Sequence, residues 1–100
     1  MKRREARQQA FVLVFEQSFS HDGMEQIIDT AEAVMGKPVD EFAARLALGT
    51  EEKLPVIDEK IGGNSRGWKL ERLSKVSLAI LRLAIYELLF EKEIPVGVTI

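Results

Sequence analysis

The chain contains no cysteine. A disulfide framework, a thiolate-held zinc cluster and a thiol nucleophile are excluded together. Histidine occurs once, at His21. It sits in Ser20-His21-Asp22-Gly23, which reads as a solvated loop, and no Ser–His–acid grouping suggests an activated nucleophile. Long apolar runs are also lacking. The most apolar stretch, Val76 to Phe90, is interrupted by Arg82 and Glu87 and is shorter than the ~20 residues that span a bilayer. The opening MKRREARQQAF carries charge without the apolar segment of a signal peptide. These absences predict a cytoplasmic protein. Gly62-Gly63 lacks the surroundings of a phosphate loop and reads as part of a turn, Gly62 to Ser65. Glu51-Glu52, Asp58-Glu59 and Glu91/Glu93 project from a helix in different directions, so they read as solvated acids and not as metal pairs. No catalysis, metal or cofactor is expected.

What is present is an ordinary globular composition, with 46% hydrophobic and 30% charged residues. A chain of 100 residues makes one domain, or part of one, and buries only about 60–65% of its unfolded surface. Helix formers without Gly or Pro run from residue 3 to about 20. Phe11, Phe15 and Phe19 recur every fourth residue and predict an aromatic core stripe, widened by Ala6, Ala10, Leu13 and Val14. Asp22 and Glu25 have the spacing of a capping box for a second helix. That helix carries Ile27, Ile28, Ala31, Val34 and Met35 and stops at Gly36-Lys37-Pro38. A third begins near Val39 or Asp40, with Phe42, Ala43, Leu46 and Ala47 on its apolar face. Pro55 predicts a kink in one helix reaching about Ile61, with a break between Gly49 and Leu54 as the alternative. Residues 61–67 form the loop between two helical halves. Trp68 to Leu73 reads as a short helical turn. The strongest helix runs from Ser74 or Lys75 to about Glu91. Val76, Ile80, Leu81, Leu83, Ala84, Leu88 and Leu89 cover most of its circumference, which makes it central. Ile94-Pro95 closes it. The fold class is all-α, a helical bundle.

Two groups of charges carry the functional signal. Lys2, Arg3, Arg4 and Arg7 crowd the first turns, opposed only by Glu5, in a chain of net charge −2. Such a patch attracts phosphate whatever the total charge. It also opposes the positive end of the helix dipole, an arrangement that an arriving anion relieves. Arg82 and Glu87 interrupt the central helix at a spacing unsuited to pairing with each other. Buried unpaired ions are costly, so partners from other helices or from a bound protein are expected.

The stretch RREARQQAFVLVFE resembles the opening helix of the NusB transcription antitermination factor family. The segment WKLERLSKVSLAILRLAIYELLFEKEIPVGVTI is similar to its pattern of Trp68, Arg72-Leu73, Leu81-Arg82, Ala84, Tyr86-Glu87-Leu88 and Ile94-Pro95. The resemblance implies a NusB-like bundle of two packed helical subdomains, forming a single RNA- and protein-binding domain over residues 1–100. It implies binding to the boxA element of nascent ribosomal RNA. It also implies a heterodimer with a small-subunit ribosomal protein, called NusE in this role, within an antitermination complex on RNA polymerase. No cofactor is implied. Lys2, Arg3, Arg4 and Arg7 become the RNA-contact candidates. Glu71, Lys75, Arg82 and Glu87 become the candidates for the protein partner. Ser77 stands where relatives often have an acid, and Phe15 where tyrosine is commoner. The family pattern continues past Ile100 with an Asn-Glu-Ala helix and a final Phe-Val-Asn-Gly helix. Their absence here predicts a partly uncovered apolar helix at Val76–Phe90, and a homodimer as one way of covering it. Two alternatives to an RNA-binding antitermination subunit stay open: an interaction or dimerisation module without RNA binding, and the N-terminal domain of a ribosomal RNA cytosine methyltransferase.

Overall fold

Small side chains set the helix spacing in this molecule. A computed structural model describes residues 2–64 and 73–91. Its helices are α1 (Arg3–Gln17), α2 (Met24–Met35), α3 (Glu41–Glu52), α4 (Leu54–Asn64) and α5 (Lys75–Phe90), and there is no strand among the described residues. The all-α expectation holds. The largest contact is between α1 and α3, and α5 packs on both. Ala6 and Ala10 of α1, Ala43 and Ala47 of α3 and Ala79 of α5 are all buried. Alanine at a helix seam lets two axes approach toward the short end of the usual 8–10 Å range. Leu13, Val14, Leu46, Leu83 and Ile57 fill the rest of the core.

That geometry corrects the reading of α1. The phenylalanines are not the core stripe. Phe11 and Phe15 are partly buried on its shoulder, and Phe19 lies beyond the helix and is 63% exposed. The three rings stack on one another along the edge, Phe11 on Phe15 at 5.9 Å and Phe15 edge-on to Phe19 at 4.9 Å. The alanine-containing stripe read as a widening is the actual seam.

The helix ends show which polar side chains have structural work. The N-cap of α2 is Gly23, and its own segment provides no side-chain cap, so the Asp22–Glu25 capping box is not formed. Glu51 of α3 substitutes from a distance. Its Oε2 accepts the Met24 N–H at 2.7 Å and the Gln17 side-chain amide at 2.5 Å. Gly36 ends α2 as expected, with φ 72° and its N–H donating to the Glu32 carbonyl at 2.9 Å. Val34 and Met35, expected in the core, are exposed, whereas Ile27 and Ile28 are buried.

The expected kinked helix is two helices separated at Lys53, so the alternative of a break is the correct one. Pro55 falls in the first turn of α4, where its missing N–H leaves nothing unsatisfied. Gly62, Gly63 and Asn64, expected in a loop, complete α4. Residues 65–67, most of the Trp68–Leu73 turn and Ile94-Pro95 lie outside the described residues. Ser74 caps α5 by accepting the Ser77 N–H at 3.0 Å.

Gly49 of α3 lies directly against Tyr86 of α5. A Cβ placed there would overlap the hydroxyl, Cζ and Cε1 of Tyr86. Tyr86 is itself buried. Burial first, then the charge of Glu91, holds its phenol above the ordinary tyrosine range. Glycine in a helix usually costs about 1 kcal/mol against alanine; here the rigid ring reverses the sign. Gly49→Ala should destabilise the fold by about 1–2 kcal/mol, within the range for overpacking, measured by urea denaturation. A variant as stable as the parent would show that α3 and α5 are free to part.

Candidate nucleic-acid and partner interface

The basic cluster grows out of the start of α1. Lys2 is the N-cap, and it offers no side-chain hydrogen bond to the first turn. Lys2, Arg3 and Arg4 are exposed. Among the described residues, Lys2 and Arg4 are held by no hydrogen bond or ion pair. Glu5 is the one acid of the first turn. The Arg3 guanidinium lies over an aromatic ring instead, with Cζ 3.8 Å from the centroid of Phe42. Phe42 is partly buried in the first turn of α3. A short polar relay holds it there. The Gln9 side-chain carbonyl accepts the Asp40 N–H at 3.0 Å, and Asp40 Oδ1 accepts the Phe42 and Ala43 N–H groups at 2.9 and 3.3 Å.

Arg7 differs from its three neighbours. Its Nε donates to both carboxylate oxygens of Glu87 on α5, at 2.9 and 3.0 Å. The two side chains are 36% and 15% exposed, so this pair is screened by solvent on one side only. It forms the polar rim of an apolar groove of about 310 Å³ between α1 and α5, floored by Phe11, Ile80, Leu83 and Ala84.

The structure thus links the two sets of candidates through one residue of each, Arg7 and Glu87. It places Lys75 apart from the basic cluster, at the far end of α1, a helix about 22 Å long at 1.5 Å per residue. There Lys75 Nζ donates to the Ser18 carbonyl at 2.7 Å and stands 4.4 Å above the Phe19 ring. Arg82 makes a two-pronged pair with Asp58 of α4, Nε to Oδ1 and Nη2 to Oδ2, each at 2.9 Å. Arg82 and Glu87 therefore find partners on other helices, as their cost of burial demanded. Glu71 lies outside the described residues.

The acids read as solvated are corrected in three places. Glu51 caps α2, Asp58 holds Arg82, and Glu91 is buried at the end of α5 with Arg45 of α3 at 2.6 Å. Adjacency in sequence hid this for Glu51 and Asp58, which turn inward beside exposed Glu52 and Glu59. His21 is exposed, as expected. No cluster of three or more metal-ligating side chains occurs among the described residues, and none of their helices is long and apolar enough to cross a membrane. The apolar circumference of α5 is buried on one side only: Ala79, Leu83 and Tyr86 are buried, whereas Val76, Ile80, Leu81, Leu88 and Leu89 are exposed, so the helix is less central than its composition predicts.

Comparison with known proteins decides the family. The NusB family model matches residues 2–100. The chain belongs to the NusB family. A Transcription antitermination protein NusB from Clostridium botulinum (strain Kyoto / Type A2) is 40% identical over the whole chain, which covers 81% of that protein. The protein of the same name from Natranaerobius thermophilus is 41% identical over the whole chain, covering 76% of its length. Within this NusB-family fold, Phe42 is the neighbour of the basic cluster that sequence reasoning missed. It was legible only as an apolar position of its helix, since nothing local places it beneath Arg3.

The Arg7–Glu87 pair ties α1 to α5, and its partial exposure limits its strength. A double-mutant cycle with Arg7→Ala and Glu87→Ala should give a coupling of about 1 kcal/mol that shrinks with added salt. A coupling of zero at low salt would mean that apolar contacts alone join the two helices there.

Proposed function

We propose that the protein is a non-catalytic transcription antitermination subunit. In this reading it binds boxA-type single-stranded RNA together with a small-subunit ribosomal protein, NusE, in an antitermination complex on RNA polymerase. One observation carries the reading: exposed Lys2, Arg3 and Arg4 stand without counter-ions among the described residues at the uncapped start of α1, in a chain of the NusB family. Backbone N–H groups, the dipole and the side chains all favour an anion at that end. Arg7 contributes as well. Glu87 engages only its Nε, which leaves the two terminal nitrogens to meet a phosphate.

The ribosomal-protein partner is assigned to the face around Lys75, Arg82 and Glu87, with Glu71. Exposed Val76 and Ile80 supply apolar area beside those charges. The names of the relatives, Transcription antitermination protein NusB, support the same role for this chain.

Three or four phosphate contacts predict a slope of roughly −2 to −3 in log affinity against log salt, at about 0.7 per contact on a single strand. Arg4→Glu, at a residue with no structural bond among the described residues, should weaken RNA binding and reduce that slope without lowering thermal stability, since an acid suits the positive end of the helix dipole. Arg4 is the better test than Arg7, whose replacement also breaks the bond to Glu87. Undetectable binding of boxA-type RNA, with and without the ribosomal protein, would sink the reading.

The exposed apolar residues of α5 favour a second reading, an interaction module that self-associates without RNA. Light scattering separates the two. A stable dimer that Leu88→Lys or Ile80→Lys converts to monomer, and that has no RNA affinity, supports the second reading; a species that binds RNA as a monomer removes it.

A further inference from the structure

The contact between Arg3 and Phe42 has more to it than helix packing. Arg3 is exposed and is held by no hydrogen bond or ion pair among the described residues; its guanidinium rests on the ring alone. The ring is anchored. Phe42 packs on the core from the first turn of α3, and that turn is fixed by Asp40 and Gln9. The partly buried ring thus carries the Arg3 cation over it at 3.8 Å, close to the thickness of one stacked plane. Lys2 and Arg4 lie beside Arg3 in sequence, so the cover belongs to the cationic cluster.

Single-strand binding sites combine a cationic track for the backbone with an aromatic platform for a base. Both components are present here in one place. An exposed cation–π contact is the weaker of the two possible uses of this ring, because water competes well for the guanidinium. A nucleobase has no comparable attraction to water and covers more of the ring.

We propose that Phe42 is a nucleobase-stacking subsite, with Arg3 as its movable cover: an unpaired base takes the place of the guanidinium on the ring, and the released guanidinium pairs with the adjoining phosphate. The subsite rests on the RNA-binding reading above and extends it, since it gives the interface a base contact in addition to its phosphate contacts. Stacking accepts any base by its face, so the subsite sets register on the strand and not sequence. It also separates Arg3 from Arg4 in role. Arg4 acts as a charge, whereas Arg3 acts as both a charge and a gate.

The test measures binding of boxA-type single-stranded RNA across a range of salt. Phe42→Leu keeps the apolar anchor and removes the stacking face. It should lower affinity about 5- to 150-fold with an unchanged salt slope, because no charge is lost, while Phe42→Trp retains the affinity. Arg3→Ala should instead flatten the slope. In parallel, RNA carrying 5-iodouracil is photo-crosslinked to the unaltered protein, and the adduct should map to Phe42. This arm does not depend on any variant folding. Affinity of Phe42→Leu equal to that of the parent, or adducts mapping elsewhere, overturns the subsite while RNA binding itself stands. Absence of binding by the unaltered protein at low salt overturns both.

Discussion

The close approach of α1 to α3 is the constraint on which the rest of the structure depends. It is made possible by alanine at positions 6, 10, 43 and 47, all buried. Larger residues at that seam would hold the helices apart. The approach has a consequence at its open end. It brings the first turn of α1 against the first turn of α3, so Arg3 reaches Phe42 and Gln9 reaches Asp40. The cationic cluster is therefore mounted on a packed helix pair. Such mounting matters for a binding site, because less freedom is lost when the ligand arrives.

Helix α5 gains its place differently. Its apolar circumference is larger than the described helices cover, and its charges tie it to each neighbour: Glu87 to α1, Arg82 to α4 and Glu91 to α3. Apolar burial is non-directional, whereas paired ions demand one register. The charges that interrupt this helix thus select one packing from several that its apolar surface would allow. Exposed Val76, Ile80, Leu88 and Leu89 are the part of that circumference left over.

The all-α class, the cap at Gly36, the bounds of α5 and the basic cluster were legible in the sequence because each rests on local chemistry. The features that escaped are non-local. Phenylalanine outweighs alanine in any hydrophobic count, so such a count points to Phe11, Phe15 and Phe19 as the core, while the seam belongs to the smallest side chains. Glu51 was indistinguishable from its solvated neighbour Glu52 until the uncapped start of α2 came within its reach. Asp58 was hidden in the same way beside Glu59. Pro55 signalled an interruption of the helix, but whether a chain bends or restarts depends on how the residues after the proline pack. The candidate site divides along the same line. Lys2, Arg3 and Arg4 follow from their crowding in the first turn. The pairing of Arg7 with a residue 80 positions away, and the ring beneath Arg3, do not.

The central claim is that one surface, formed by the first turns of α1 and α3, receives single-stranded RNA. Backbone amide shifts of isotope-labelled protein, followed by NMR during titration with boxA-type RNA, test it most directly. The account predicts shifts concentrated at residues 2–8 and 40–45, with α2 unaffected. Shifts centred on α2, or on the Lys75 end of α5 with the first turn of α1 silent, would contradict it.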